Sequence, residues 1–312
     1  MKKFIYLVFL ALLLFCSVQL SFATSHKQAV PTVQSQNVIQ YDKNAKRIVL
    51  SDTVANLPTG AFENMTQLES VYIPSSIKVI PDHAFSGCTA LKKIVLPDTL
   101  EKIGKSAFSG CMSLTKINLP KSLRYIGPTA FARTAIRKLK IPSQCIFENL
   151  SLSNCPKLEI VRFDDRESLL LEDWMFYSCP SLKTVVLPKT VDGILLHAYC
   201  FSDCVQLSKI KNLDRISSIG AKAFENCKNL SSFTVSPQII RIDRYAFLGC
   251  DSLKKLRVLS MNPGFLTATK KSAAFLQPLP DTCKVYVKTA AMKRAVVDAG
   301  FTGKVIVKAD LK

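Results

Sequence analysis

Leu91 to Cys111 reads LKKIVLPDTLEKIGKSAFSGC, and this spacing recurs along most of the chain. Ile94 and Leu96 alternate with Val95, the period of a strand with one buried face. Pro97 ends that strand because it has no N–H to give a ladder. Gly104 reads as a turn residue, as do its equivalents Gly127 and Gly220. Ala107-Phe108 follows, with Cys111 three residues after the phenylalanine and Leu114 three further on.

Working outward, Ala61-Phe62, Ala84-Phe85, Ala107-Phe108 and Ala130-Phe131 lie 23 residues apart. The column drifts through Leu152, Phe176 and Phe201, returns to 23 at Phe224 and Phe247, and echoes at Ala274-Phe275. Cys88, Cys111, Cys155, Cys179, Cys204, Cys227 and Cys250 fill the position three later, with Met65 and Thr134 replacing them in two units. One such unit cannot bury its own apolar positions. Stacked units can, each coil covering the next. The expected fold is a leucine-rich repeat solenoid of about ten coils, roughly 4.8 Å apart, with a parallel sheet on one face and a terminal cap at each end. The unit from Pro142 to Cys155 is one residue short and that from Pro188 to Cys204 two residues long.

The combined A-F-x-x-C-x-x-L and L-P columns, from about Ile48 to Tyr286, resemble BspA-like leucine-rich repeats. The resemblance implies a right-handed solenoid and secreted or surface-exposed proteins that bind other proteins or cells.

The first residues have a different character. Met1-Lys2-Lys3, an apolar run from Phe4 to Leu14 and small residues at Ser21 and Ala23 read as a secretory signal peptide over 1–23. Cleavage after Ala23 lowers the formal charge from +19 by two lysines. An uncleaved anchor is the rival, and lipid attachment at Cys16 is disfavoured by bulky Phe15. The expected divisions are 24–47, a polar start and cap with a Val38–Tyr41 hairpin arm; 48–258, the repeats; and 259–312, an irregular last repeat and C-terminal cap. In that cap the spacing breaks at Asn262-Pro263-Gly264. Val285-Tyr286-Val287 then reads as a strand, Thr289 to Ala299 as a helix stopped by Gly300, and Lys304 to Val307 as a closing strand.

Eleven cysteines in 312 residues are too dilute for a disulfide scaffold. The column reads as small buried thiols that make weak hydrogen bonds. Cys145 takes a core leucine's place and Cys200 an alanine's; Cys283 has no repeat explanation. The inventory of three histidines argues against multi-histidine metal catalysis. His197, Cys200 and Cys204 do not form a zinc set, because the repeat turns both cysteines inward, and His83 falls on an outer turn. Asp164-Asp165-Arg166-Glu167 is an acidic loop, readable as a calcium site or, more simply, as a solvated turn. No nucleophile elbow, P-loop or dinucleotide fingerprint occurs, and no cofactor is expected. Asn64, Asn149 and Asn229 sit in glycosylation sequons, which matter only in a eukaryotic secretory pathway.

The positive charge has a place to go. The outward positions of the strands are Ser70, Lys93, Lys116, Lys138, Ile160, Thr184, Lys209, Ser232 and Lys255 in one row, and Tyr72, Val95, Asn118, Lys140, Arg162, Val186, Lys211, Thr234 and Arg257 in the other. Nine of these eighteen are basic and none is acidic, where 42 basic residues in 312 would place between two and three. Such a face attracts polyanions. Its other reading is solubility and protection of an exposed sheet. The expectation is a non-catalytic, exported, adhesin-like binding protein whose ligand is a protein, an acidic glycan or another cell-surface molecule. Nucleic acid is not expected, nor a membrane-spanning segment after signal cleavage. A periplasmic scaffold is the alternative, and a glycan-acting enzyme a more distant one, because no acid, base and nucleophile converge.

Overall fold

Short parallel strands, two to four residues each, succeed one another in every coil of the computed structural model, which describes residues 42–261, 276 and 279–312. The export segment 1–23, the polar stretch up to residue 37, the Val38–Tyr41 arm, the break at residues 262–264 and the Ala274-Phe275 echo lie outside the described residues. The remainder is a parallel solenoid of about 11 turns.

The expected front sheet is present, and a second ladder accompanies it. The front strands are Arg47–Val49, Ser70–Tyr72 and Lys93–Val95, then Lys138–Ile141, Ile160–Phe163, Thr184–Val186 and Lys209–Lys211, then Ser232–Val235, Lys255–Val258, Lys284–Val287 and Val305–Val307. The back ladder runs through Val79–Ile80, Lys102–Ile103, Tyr125–Ile126 and Ile146–Phe147, and resumes with Leu170–Leu171, Ile194–Leu196, Ile216–Ile219 and Arg241–Ile242. These back strands are mostly two residues long, too short for an alternating pattern to declare itself in sequence.

The front sheet is not continuous. Residues 115–118, expected to form a rung, carry no strand, so Lys116 and Asn118 stand beside the ladder rather than in it. The adjoining coil is one residue short here: Ile136 follows Phe131 by five positions where Leu114 follows Phe108 by six. A second break separates Lys209–Lys211 from Ser232–Val235, where a 3-10 turn over Leu213–Arg215 intervenes.

The core is the stack of columns. Phe85, Phe108 and Phe131 lie parallel at 5.4 Å between ring centroids, and Phe201, Phe224 and Phe247 at 5.5 Å. Leu152 interrupts the two runs. Each fully buried phenylalanine contributes about 1.5–3 kcal/mol relative to exposure. The cysteine column is reduced and buried. Each thiol donates to the carbonyl of the preceding coil's phenylalanine position: Cys88 to Phe62 at 3.0 Å, Cys111 to Phe85 at 3.2 Å, Cys204 to Phe176 at 3.1 Å and Cys250 to Phe224 at 3.1 Å. Burial pushes the Cys88 and Cys250 thiols up to about 12. Cys145, Cys200 and Cys283 are also buried and free.

Each coil turns twice through left-handed backbone, once just before the Ala-Phe pair (His83, Ser106, Thr129) and once just before the cysteine (Gly87, Gly110, Gly249). Gly104 opens the turn into the Ala-Phe pair, its carbonyl accepting from the Ala107 N–H at 3.3 Å, but it does not itself take left-handed backbone. A Cβ there would lie 2.3 Å from Asp82 Oδ1 and 2.6 Å from the Asp82 nitrogen, so glycine is needed because consecutive coils touch.

At the C-terminus, the strand Lys284–Val287 adds to Lys255–Val258 and is followed by the helix Ala290–Asp298. The Thr289 side chain caps that helix by accepting from the Met292 N–H at 3.1 Å. Gly300 follows at φ 91, and Val305–Val307 pairs with Lys284–Val287 as the last rung.

Candidate binding face

The front strands show alternate burial: in Lys138–Ile141 the two lysines are exposed while Leu139 and Ile141 are buried, and Ile160–Phe163 repeats the order. Register carries the outward rows from coil to coil. Lys138 pairs with Ile160, Thr184 and Lys209 in succession, and Lys140 with Arg162, Val186 and Lys211. Lys255 and Arg257 pair with Ser232 and Thr234 on one side. Their other neighbours are Lys284 and Tyr286, which lengthen the rows beyond the sequence expectation. Arg47 extends them at the other end, in register with Ser70 and Lys93. Tyr72 is therefore not the only aromatic in the rows, and Lys255 Nζ lies 5.1 Å from the centre of the Tyr286 ring.

The break at residues 115–118 opens a cavity of about 610 Å³ in this face. Its apolar floor includes Ile117, Leu119 and Leu139, and its walls carry Lys116, Arg137, Lys138, Lys140 and Arg162 with Glu159 as their carboxylate. Arg137 holds Glu159, Nη2 to Oε1 at 2.7 Å and Nε to the same oxygen at 3.1 Å. That bond, with the Arg137 charge, keeps the Glu159 carboxyl below its ordinary range. Lys140 Nζ pairs with Asp164 Oδ1 at 2.9 Å. Lys116, Lys138 and Arg162 form no salt bridge among the described residues. The cavity thus gathers four of the residues singled out in the sequence. Lys93, Lys209, Lys211, Lys255 and Arg257 lie on the same face along the coils. The rows contain no acid, but acids flank them, and Lys92 likewise pairs with Glu69 at 3.0 Å. Arg137 and Glu159 were missed because they precede the strand positions by which the rows were drawn.

The 164–167 loop is anchored by Arg166, while Asp165 and Glu167 stay exposed as a solvated turn would have them. Arg166 is buried, with Nη1 donating to the Cys145 carbonyl at 3.1 Å and Nη2 to that of Pro142. Asp165 accepts from the Lys189 N–H at 2.7 Å. Among the described residues, no group of three His, Cys, Asp or Glu could hold a metal, and no helix is long and apolar enough to cross a membrane. Cys200 and Cys204 point into the core, while His197 faces Glu172, Nδ1 to Oε2 at 3.5 Å.

Coil length, the columns and both ladders define a leucine-rich repeat protein of the solenoid class. Residues 35–159 and 169–273 match the BspA type leucine rich repeat region in six copies, and the chain belongs to that family. Among solved structures it is similar to a leucine-rich repeat protein from Bacteroides ovatus, with 23% identity over 85% of this chain and 84% of that one, at a TM-score of 0.46. The leucine rich repeat protein of T. pallidum gives 23% identity, 86% and 88% coverage and 0.43. The pneumococcal vaccine antigen PcpA gives 19%, 87% and 80%, and 0.47. No curated protein sequence matches the chain.

Proposed function

We propose that the protein is an exported, non-catalytic binding protein that takes acidic ligands on its front face, with the cavity between Lys116 and Arg162 as the principal site. One observation carries this reading: five cations and one acid line a cavity with an apolar floor. Cations held close together raise the local concentration of an anionic partner and speed its encounter. The apolar floor gives that partner something to bury beyond its charge. Lys116, Lys138 and Arg162 are the residues expected to meet it, while Arg137 and Lys140 are partly neutralised by Glu159 and Asp164. Anionic glycans and acidic surface proteins have the required chemistry. The signal-like start of the chain and the membership of a repeat family support export and an adhesin-like role.

The test is retention on immobilised heparin. The triple variant Lys116→Gln, Lys138→Gln and Arg162→Gln should elute at distinctly lower salt than the parent. A control that removes three lysines from elsewhere, Lys228→Gln, Lys293→Gln and Lys304→Gln, should change elution much less. Equal losses in both would reduce the effect to net charge and reject the site.

A further inference from the structure

Over three coils the outer side of the back ladder carries acids where the front rows carry bases. On one coil the outward positions are Leu170, Glu172 and Trp174; on the next they are Leu195, His197 and Tyr199, held side by side by the pairing of Leu170 with Leu195. Ile146 and Glu148 occupy the same positions one coil earlier. Regular coils have Gly104, Gly127 or Gly220 where these have Glu148, Glu172 and His197, and Ser106 or Thr129 where they have Trp174 and Tyr199. The repeat match is also interrupted between residues 159 and 169, within the span of sequence that supplies this surface.

The substitutions put apolar bulk in water. Ile146 is 64% exposed, and Trp174 and Leu195 are each 39% exposed. Trp174 and Tyr199, 5.1 Å apart, hold left-handed backbone at φ 54 and 57, conformations that bulky side chains adopt at a cost. Exposed aromatic and aliphatic side chains grouped around ionisable ones are the composition of a contact surface.

The neighbouring coil indicates what this surface holds. Lys222 lays its ammonium 5.4 Å from the centre of the Tyr199 ring while pairing with Glu225 at 2.9 Å, so an aromatic ring and a carboxylate together cradle an alkylammonium. Trp174 and Glu172 offer the same two kinds of partner together on one coil, two coils away from Lys222. Among the described residues, no lysine or arginine pairs with Glu148 or Glu172. Burial and the nearby Glu148 and Asp173 charges make ionised Glu172 costly, partly offset by His197. A cation delivered from outside would relieve that cost.

We propose that this back surface docks a cationic amphipathic segment of a partner protein, its Lys or Arg side chains meeting Trp174, Glu172 and Glu148 and its aliphatic ones Ile146, Leu170 and Leu195. The site is independent of the front face and opposite to it in charge preference.

Trp174 is the single tryptophan of the chain, so its emission reports on the site directly. The probe is the peptide acetyl-(Leu-Lys)3-amide, with acetyl-(Leu-Glu)3-amide as the control. The lysine peptide should change Trp174 emission saturably and the glutamate peptide should not. The double variant Glu148→Gln, Glu172→Gln, confirmed folded by circular dichroism, should bind at least tenfold more weakly, while Lys138→Gln should bind as the parent does. No saturable change, an equal response to both peptides, or an affinity unmoved by the double variant would overturn the proposal.

Discussion

Replacing Phe108 by alanine tests the stack that holds successive coils together. The ring is fully buried, 5.4 Å from Phe85 on one side and 5.4 Å from Phe131 on the other, with interplanar angles of 4° and 6°. Phe→Ala in a packed core costs about 3–5 kcal/mol, since transfer and cavity costs add. Rings that stack well contribute about 0.5–1.5 kcal/mol per pair beyond their buried area. Phe108→Ala should therefore fall in the upper half of that range. Phe108→Leu retains most of the bulk, and Leu152 shows that the column admits leucine. Its cost should be mainly the two lost ring contacts, about 1–3 kcal/mol by the same pairwise value. Phe131 has one stacked ring neighbour among the described residues, so Phe131→Leu should cost about half as much as Phe108→Leu. Urea unfolding followed by far-ultraviolet circular dichroism measures all three, and unchanged denaturant slopes would show that the unfolding unit is the same. A loss below 1 kcal/mol for Phe108→Ala, or equal losses for the two leucine variants, would refute continuous stacking.

Three other expectations concern single side chains. The Ser151 hydroxyl is buried without a hydrogen-bond partner in a position where regular coils have alanine, so Ser151→Ala should stabilise by about 1 kcal/mol in the same urea assay. The ten described cysteines should resist iodoacetamide at pH 8 in the native protein and react only on unfolding, as read by mass spectrometry; their burial raises Cys145 to about 12 and Cys283 to about 11. Folded Glu172 binds its proton more tightly than the unfolded chain does, chiefly through burial. Its ionisation penalty is absent below the unfolded value of 4.5 and develops as pH rises through the higher folded value. Glu172→Gln should raise the melting midpoint at pH 7 and leave it little changed at pH 3.5; the reverse ordering would contradict the assignment.

The repeat was legible because its columns recur for a simple reason: Phe108, Cys111 and Leu114 point into a core that each coil shares with its neighbour, so their spacing cannot vary. The thiol column illustrates how far this goes, since its bonds to the preceding coil follow from one position repeated. What departs from the repeat was harder to see. The rung lost at residues 115–118 lies beside a one-residue deficit after Phe131, and a spacing count alone does not tell which strand will yield. The basic rows were readable from alternation. The pairing of Arg137 with Glu159 and of Lys140 with Asp164 depends on side-chain reach between coils. Arg166 looked like part of a charged turn, because nothing in its neighbours declares that the guanidinium inserts towards Pro142 and Cys145. Gly104 reads as a turn residue and does open a turn, but what requires glycine there, the approach of Asp82 from the coil before it, is invisible in the sequence. The tile around Trp174 is not legible in the sequence because its residues are spread over three coils and become neighbours only when those coils stack.

Hydrogen–deuterium exchange of the full chain, with and without a heparin hexasaccharide, tests the front-face site most directly. Protection should concentrate on residues 115–119, 137–140 and 160–162, fade as salt rises, and spare the back strands at 146–147, 170–171 and 194–196. Protection centred on those back strands, or spread evenly along the solenoid, would contradict it.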